Sequence, residues 1–336
     1  MNHQDTEIAQ MQNHLQRIAN GFRSAILLLT ANQLNLFTEL SGKWESAEQV
    51  ARRLHLDPRA TGIFLNALTA LGFLEKRDGA YSNAEISDTL LVAGKAYYQG
   101  DILKHNLNLW QRWSKIEVVL RTGLPARESM KRRSDAELRS FILGMANLAK
   151  SVADLLWEKA ELKDPRRLLD LGGGPGTYSF AACRRYPGLS AVVYDLPEVE
   201  AIFHEQCAFH RFDDRVRFHA GDFLMDEIPR GFDVVLLSSI IHSLGEAENQ
   251  QLFSKIAGSI TPGGTIIVKD FYISEDGTQP LHAALFAVNM LVGTQAGTCY
   301  TRSTVETWLQ GSEFRSVRFL ELNEQSGLIL AEKKRL

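Results

Sequence analysis

The chain has 336 residues, 45% of them apolar and 23% charged, a globular composition that excludes wholesale disorder and is long enough for about two domains. The formal net charge of −3 gives no global electrostatic case for nucleic acid or an anionic membrane surface. The longest early apolar run, Ala25–Ala31, is far short of the ~20 residues of a membrane helix. The first twenty residues are polar, and Cys183, Cys207 and Cys299 form no C-x-x-C pair. A cytoplasmic protein with reduced thiols, no membrane partner and no metal is therefore expected.

Before residue 160 the pattern is helical. Gly21–Leu40 carries Phe22, Ile26, Leu29, Leu34 and Phe37 mostly at three- and four-residue steps, predicting a helix with a buried face. Ser46 and Gln49 form a capping-box pattern, and Asp57-Pro58 opens a second helix carrying Ile63, Leu65, Leu68 and Leu71. Residues 73–82 read as two strands around an Asp78-Gly79 turn. Helices followed by a hairpin predict a winged helix. Residues 1–100 hold nine Lys/Arg against ten Asp/Glu, and only Arg59 is charged in 58–72, which favours packing or dimerisation over DNA binding. Residues 97–125 form an amphipathic segment containing Trp110 and Trp113, aromatics placed to wall a pocket.

From Arg167 onward strands and helices alternate. RLLDL (167–171), AVVYD (191–195), VRFHAGD (216–222), FDVVLLSSI (232–240) and TIIVKDF (265–271) are strands, with helices at 177–187, 196–206 and 246–260. Pro262-Gly263-Gly264 reads as the turn into the fifth strand. VRFLEL and GLILAEK close the chain as an antiparallel pair. The expected fold is α/β: a Rossmann-like, doubly wound seven-stranded sheet with an antiparallel last strand over 161–336, preceded by a mostly helical domain over 1–160.

The strongest motif, Asp170-Leu171-Gly172-Gly173-Gly174-Pro175-Gly176-Thr177, follows the first strand and opens a helix. A P-loop is excluded because no Lys follows Gly176, and the dinucleotide fingerprint fails at Thr177 and Ser179. Acid-x-G-x-G-x-G suits an amino-acid-plus-nucleoside ligand: Gly172 and Gly174 bare the backbone, and Asp170 meets a cationic group. Asp195, ending the second strand, can accept both ribose hydroxyls. Asp222 can accept from an adenine amino group while Phe223 covers the ring.

LLDLGGGPGTY, VVYDLPEV, AGDF and SSIIHSLGEAENQQLFSKIAGSITPGGTIIVKD, in this order, resemble the S-adenosylmethionine-dependent O-methyltransferases of the plant caffeate and animal acetylserotonin type. The resemblance covers nearly the whole chain and implies an N-terminal winged-helix dimerisation domain and a homodimer. It also implies S-adenosylmethionine as cofactor, bound by Asp170, Gly172, Gly174, Asp195, Leu196, Asp222, Phe223 and Ser238, the last standing where plant members have Lys. His242 matches the family's catalytic His, a group that titrates near neutral pH and suits removal of an acceptor proton. Asp270 matches its orienting acid, one methylene shorter than the usual Glu. The second acid is absent from Gly297–Thr301, and the Asp and Trp that follow the His are Ser243 and Leu244. Positioning of an already acidic acceptor, or Tyr300, are the alternatives to a His base. The helix over 280–294 resembles the family's substrate wall, so Asn289, Phe286 and Met290, with Trp110, are expected to bind a small hydroxylated aromatic acceptor. N- or C-methylation with the same cofactor, and a cofactor-binding regulator without catalysis, are the competing functions.

Overall fold

A computed structural model describes residues 3–126, 134–212 and 214–335. They divide into two compact units, Met1–Leu109 and Trp110–Leu336.

In the first unit, α1 (His3–Asn20) and α2 (Phe22–Gln33) precede α3 (Leu36–Glu39). The single helix expected over 21–40 is broken because Asn35 adopts a left-handed conformation, φ 58°. β1 (Glu45–Ser46) leads into α4 (Ala47–Leu54), whose Ser46–Gln49 capping box forms as expected. Asp57 caps α5 (Pro58–Ala70) by accepting from the Ala60 N–H. β2 (Leu74–Arg77) and β3 (Ala80–Asn83) pair across Asp78-Gly79, both at positive φ as a tight two-residue turn requires. β1 joins them as a third strand. Leu36, Phe37, Leu40, Val50, Leu65, Leu68, Leu74 and Tyr81 form the core. α6 (Glu85–Leu90) follows, and the amphipathic segment becomes α7 (Gly100–Trp113) and α8 (Ile116–Thr122).

The second unit continues with α9 (Asp135–Lys150), α10 (Ala153–Ala160), β4 (Arg167–Leu171), α11 (Thr177–Arg185), β5 (Ser190–Asp195), α12 (Glu200–His210), β6 (Val216–Ala220) and β7 (Phe232–Ser238). After them come α13 (Glu246–Ser259), β8 (Ile260–Asp270), α14 (Leu281–Gly293), α15 (Arg302–Gly311), β9 (Phe314–Glu321) and β10 (Gly327–Lys333). The sheet order is β6-β5-β4-β7-β8-β10-β9, with β10 running antiparallel to both of its neighbours, β8 and β9. The chain-closing antiparallel pair and all five parallel strands lie where the alternation placed them. Pro262-Gly263-Gly264 is not a separate turn. It sits inside β8, where the register slips against β7.

Parallel register partners share a face of the sheet. One face buries Leu168, Val193, Val234, Leu236 and Ile267 against α10 and α11 residues; the other buries Leu169, Leu171, Val235, Leu237 and Val268 against α13 and α15 residues. The contacts divide the two units at 109/110, and within the second unit α10 packs on the sheet. Trp157 of α10 is fully buried in the first of these cores and donates Nε1–H to the Tyr178 carbonyl at 2.8 Å. It therefore pins the start of α11, just after the glycine loop. Trp157→Ala is expected to cost about 3–5 kcal/mol of stability in chemical denaturation, through a cavity and the loss of that hydrogen bond.

Candidate active site

The C-terminal ends of β4, β5, β7 and β8 face one rim of the sheet. On it the glycine loop runs with Gly172, Gly174 and Gly176 at positive φ. The space for side chains is taken: a Cβ on Gly172 would lie 2.3 Å from the Ile240 Cδ1, and one on Gly173 would lie 2.6 Å from the Asp170 Cγ. The loop is thus draped over Asp170, as bare backbone requires.

Asp170 is fully buried. Its Oδ2 accepts from the Ser179 hydroxyl at 2.7 Å, while Oδ1 has no partner among the described residues. Burial pushes its carboxyl up to about 7, against the opposing Ser179 bond. Asp195 accepts from the Gly174 N–H through Oδ2 and from the Leu196 N–H through Oδ1, both at 2.7 Å. Burial raises it to about 6 despite those bonds. Phe223 lies beside Gly172. Asp222 Oδ1 accepts from the Leu224 N–H at 3.1 Å. Lys255 of α13 holds this loop through the carbonyls of Phe223, Leu224 and Asp226. Sequence reasoning missed Lys255, whose partners lie about thirty residues away and carry no side-chain signal. Ser238, ending β7, is hydrogen-bonded to the Tyr178 phenol, which burial raises to about 12.

His242 sits in a 3₁₀ turn, Ile241–Ser243, after β7. Its Nδ1 and the Asp270 Oδ1 are 2.7 Å apart, both side chains buried. The bond is direct despite the short Asp side chain, because β7 stays paired with β8 as far as Ser238 and Lys269, next to Asp270. Asp270 Oδ1 also accepts from the Phe271 N–H at 2.8 Å. The imidazole packs on Phe286 of α14, edge-on at 4.8 Å, and on Phe271, stacked at 6.0 Å. Phe271 was not singled out from the sequence.

The stretch lacking the second acid does pack here. A Cβ on Gly297 would lie 2.4 Å from the His242 carbonyl oxygen. Cys299 is buried, its thiol pushed up to about 12 by burial and then by the nearby Asp270 charge. Tyr300 donates its hydroxyl to the Leu244 carbonyl at 2.6 Å, which ties it to the turn rather than to a reacting atom. Asn249 of α13 likewise donates to the Ile241 carbonyl.

On α14, Asn289 Oδ1 accepts from Trp113 Nε1 at 2.9 Å, and Met290 is buried. Trp113 makes this bond; Trp110 stands 38% exposed one turn earlier on α7. A cavity of about 430 Å³ is lined by Ala287, Val288 and Leu291 of α14 and by residues 294–298 after it.

The O-methyltransferase domain family matches residues 119–315, and the O-methyltransferase dimerisation domain family matches 16–93. The chain belongs to the O-methyltransferases. It is 33% identical to the 3-hydroxy-5-methyl-1-naphthoate 3-O-methyltransferase of Streptomyces sahachiroi, covering 90% of each chain. It is 30% identical to the tetracenomycin polyketide synthesis 8-O-methyl transferase of Streptomyces glaucescens, over 95% of this chain and 96% of the relative. Human N-acetylserotonin methyltransferase, solved with S-adenosylmethionine, superposes with a TM-score of 0.89 at 25% identity, over 97% of this chain and 98% of that one. The protein is an S-adenosylmethionine-dependent O-methyltransferase of small molecules, with the seven-stranded sheet and helical N-terminal domain expected from its sequence.

The rim suits that cofactor: a buried carboxylate oxygen without a partner, under backbone that admits no side chain, fits a primary ammonium. Such binding needs Asp170 ionised, and burial opposes ionisation until the cation arrives. Affinity for S-adenosylhomocysteine is therefore expected to fall about tenfold or more from pH 7.5 to pH 5.5, through values of about 7 and about 6, with protons released on binding in calorimetry. The ligand-free chain has the opposite trend. Its two raised carboxyls bind protons more tightly folded than unfolded, so their contribution to stability falls as pH rises from about 4 to 7.

Proposed function

We propose that this enzyme methylates a hydroxyl of a small aromatic acceptor with His242 as general base. The observation that carries the reading is the buried His242–Asp270 hydrogen bond at the rim that holds the glycine loop.

Asp170, Gly172 and Gly174 would hold the methionine end of the cofactor, Asp195 and Leu196 the ribose, and Asp222 and Phe223 the adenine, with Ser238 beside them. Each Asp195 oxygen makes one backbone bond and keeps a lone pair for a ribose hydroxyl. When bound, the cofactor supplies a methyl group made electrophilic by its sulfonium. The chain's own work is to position an oxygen and take its proton. With Nδ1–H donated to Asp270, Nε2 presents a lone pair to the acceptor hydroxyl and has no hydrogen-bond partner among the described residues. Asp270 is a positioning residue: it fixes ring orientation and tautomer. Phe286 and Phe271 pack on the imidazole, and the two rings, tilted 57° to each other, would give an apolar aromatic wall for the acceptor, with Met290 on the same helix as Phe286. Trp113 occupies the Asn289 carbonyl, leaving its amide N–H groups for an acceptor oxygen. Trp110, one turn before Trp113 on α7, would be a further aromatic contact for the acceptor. Relatives acting on a naphthoate and in tetracenomycin polyketide synthesis support a fused-ring acceptor.

We also infer a homodimer. The dimerisation-family match reaches Ile18, and α1 exposes Ile8, Met11, Leu15 and Ile18 at steps of three and four. No helix among the described residues is long and apolar enough to cross a membrane.

His242→Ala is expected to lower kcat by about 10²–10⁴-fold, with S-adenosylhomocysteine affinity unchanged. Asp270→Asn is expected to cost about 10–100-fold, the worth of one charge-assisted bond. Unchanged turnover in His242→Ala removes the base. Leu15→Asp combined with Ile18→Asp is expected to yield monomers by light scattering; a retained dimer would remove α1 from the interface.

A further inference from the structure

Lys269 is the penultimate residue of β8, 7% exposed, and among the described residues its ammonium meets no carboxylate. Its Nζ donates to the Ser239 hydroxyl at 2.9 Å and lies 4.8 Å from the centre of the Phe271 ring. The nearest acid, Asp270, projects from the other face of β8 and is engaged with His242. Buried ammonium groups are normally paired. This chain follows that rule elsewhere: Lys333, 8% exposed, is bonded to Glu313. Burial pushes the Lys269 ammonium below its ordinary range, Asp270 only partly opposing.

The surroundings place this unpaired cation beneath an opening rather than inside a closed core. Ser238, its register partner on β7, and Ser239 and Ile240 after it are only half-buried. Ile240 covers Gly172 of the cofactor loop. Phe271, which the ammonium overlies, is 4.6 Å from Phe286 and 6.0 Å from His242, ring centre to ring centre. The cation therefore adjoins the aromatic wall on which the proposed acceptor lies.

We propose that Lys269 is a specificity-determining residue that pairs with a carboxylate on the acceptor, so that the substrate class is aromatic hydroxy acids. The inference rests on the acceptor site assigned above. The acceptor enters with its ring on Phe271 and Phe286, its hydroxyl at His242 and its carboxylate at Lys269, which completes the pairing the folded chain leaves open. An uncharged analogue leaves the ammonium buried and unpaired and is rejected for that reason.

The test is calorimetry on the S-adenosylhomocysteine-loaded enzyme, using hydroxynaphthoic acids with the carboxylate at ring position 1 or 2 and the matching carboxamides. The wild-type enzyme is expected to bind its preferred acid at least tenfold more tightly than the amide, about 1.4 kcal/mol. Lys269→Met keeps the packing volume and should abolish that preference, leaving carboxamide and S-adenosylhomocysteine affinities within twofold and the Tm no lower. Equal binding of acid and amide by the wild-type enzyme overturns the proposal without reference to any variant. So does a Lys269→Met enzyme that loses S-adenosylhomocysteine affinity, since the lysine would then serve the methionine carboxylate. Intact acid preference with no methyl transfer to any acid would refute the catalytic reading above while supporting this one.

Discussion

The alternation of side chains along parallel strands is the constraint on which the site depends. β4, β7 and β8 end at one rim, and their register fixes what each end presents to either side of the sheet. Asp170, Leu236 and Ser238 share a face with Lys269, whereas Asp270 stands on the other and meets His242 as the chain leaves β7. A one-residue slip between β7 and β8 would exchange Lys269 and Asp270. It would put an ammonium beside the imidazole and a carboxylate beside Ser238. The apolar residues beneath, Leu237 and Val268 on one side and Leu236 and Ile267 on the other, oppose that slip because it would turn both cores inside out.

Both halves of the rim hold ionisable groups out of water. Asp170 and Asp195 are kept below full ionisation at neutral and mildly acidic pH by burial, and Asp170 has one oxygen without a partner. Lys269 is a buried cation with no acid beside it on its own face. In an ordinary core such groups are costly, and a chain gains by replacing them. Their retention at the open ends of strands, beside backbone cleared of side chains, fits a site whose electrostatics are completed by what binds. The fixed dipoles and charges need no rearrangement when it arrives, which is the condition under which they contribute most to a reaction.

Much of this was legible in the sequence, because strand ends and glycines leave local signals. The acids at 170, 195 and 222 follow apolar runs, and Gly172–Gly176 stands between a strand and a helix. The helical character of the N-terminal region and the antiparallel closing pair were equally plain from helix periodicity and from two strands separated by a short turn, while the dimerisation role came from the family resemblance. What was not legible is set by long-range packing. The Trp113–Asn289 bond joins residues 176 apart, so periodicity on α7 could not choose Trp113 over Trp110. α9 and α10 have the periodicity of any helical domain, and only Trp157 beneath Tyr178 shows that they cover the sheet. In the sequence Lys269 is one polar position in an apolar strand. Its isolation from every acid on its face became visible only with the register.

The His242–Asp270 bond gives the imidazole one defined tautomer, and the catalytic reading stands or falls with it. Long-range ¹H–¹⁵N correlation spectroscopy on ¹⁵N-histidine-labelled enzyme at pH 8, assigned with a His242→Gln variant, reads that tautomer directly. The account predicts a proton on Nδ1 and a bare Nε2. A proton on Nε2, with Nδ1 unprotonated, would contradict it, because the nitrogen facing the acceptor would then have no lone pair to offer.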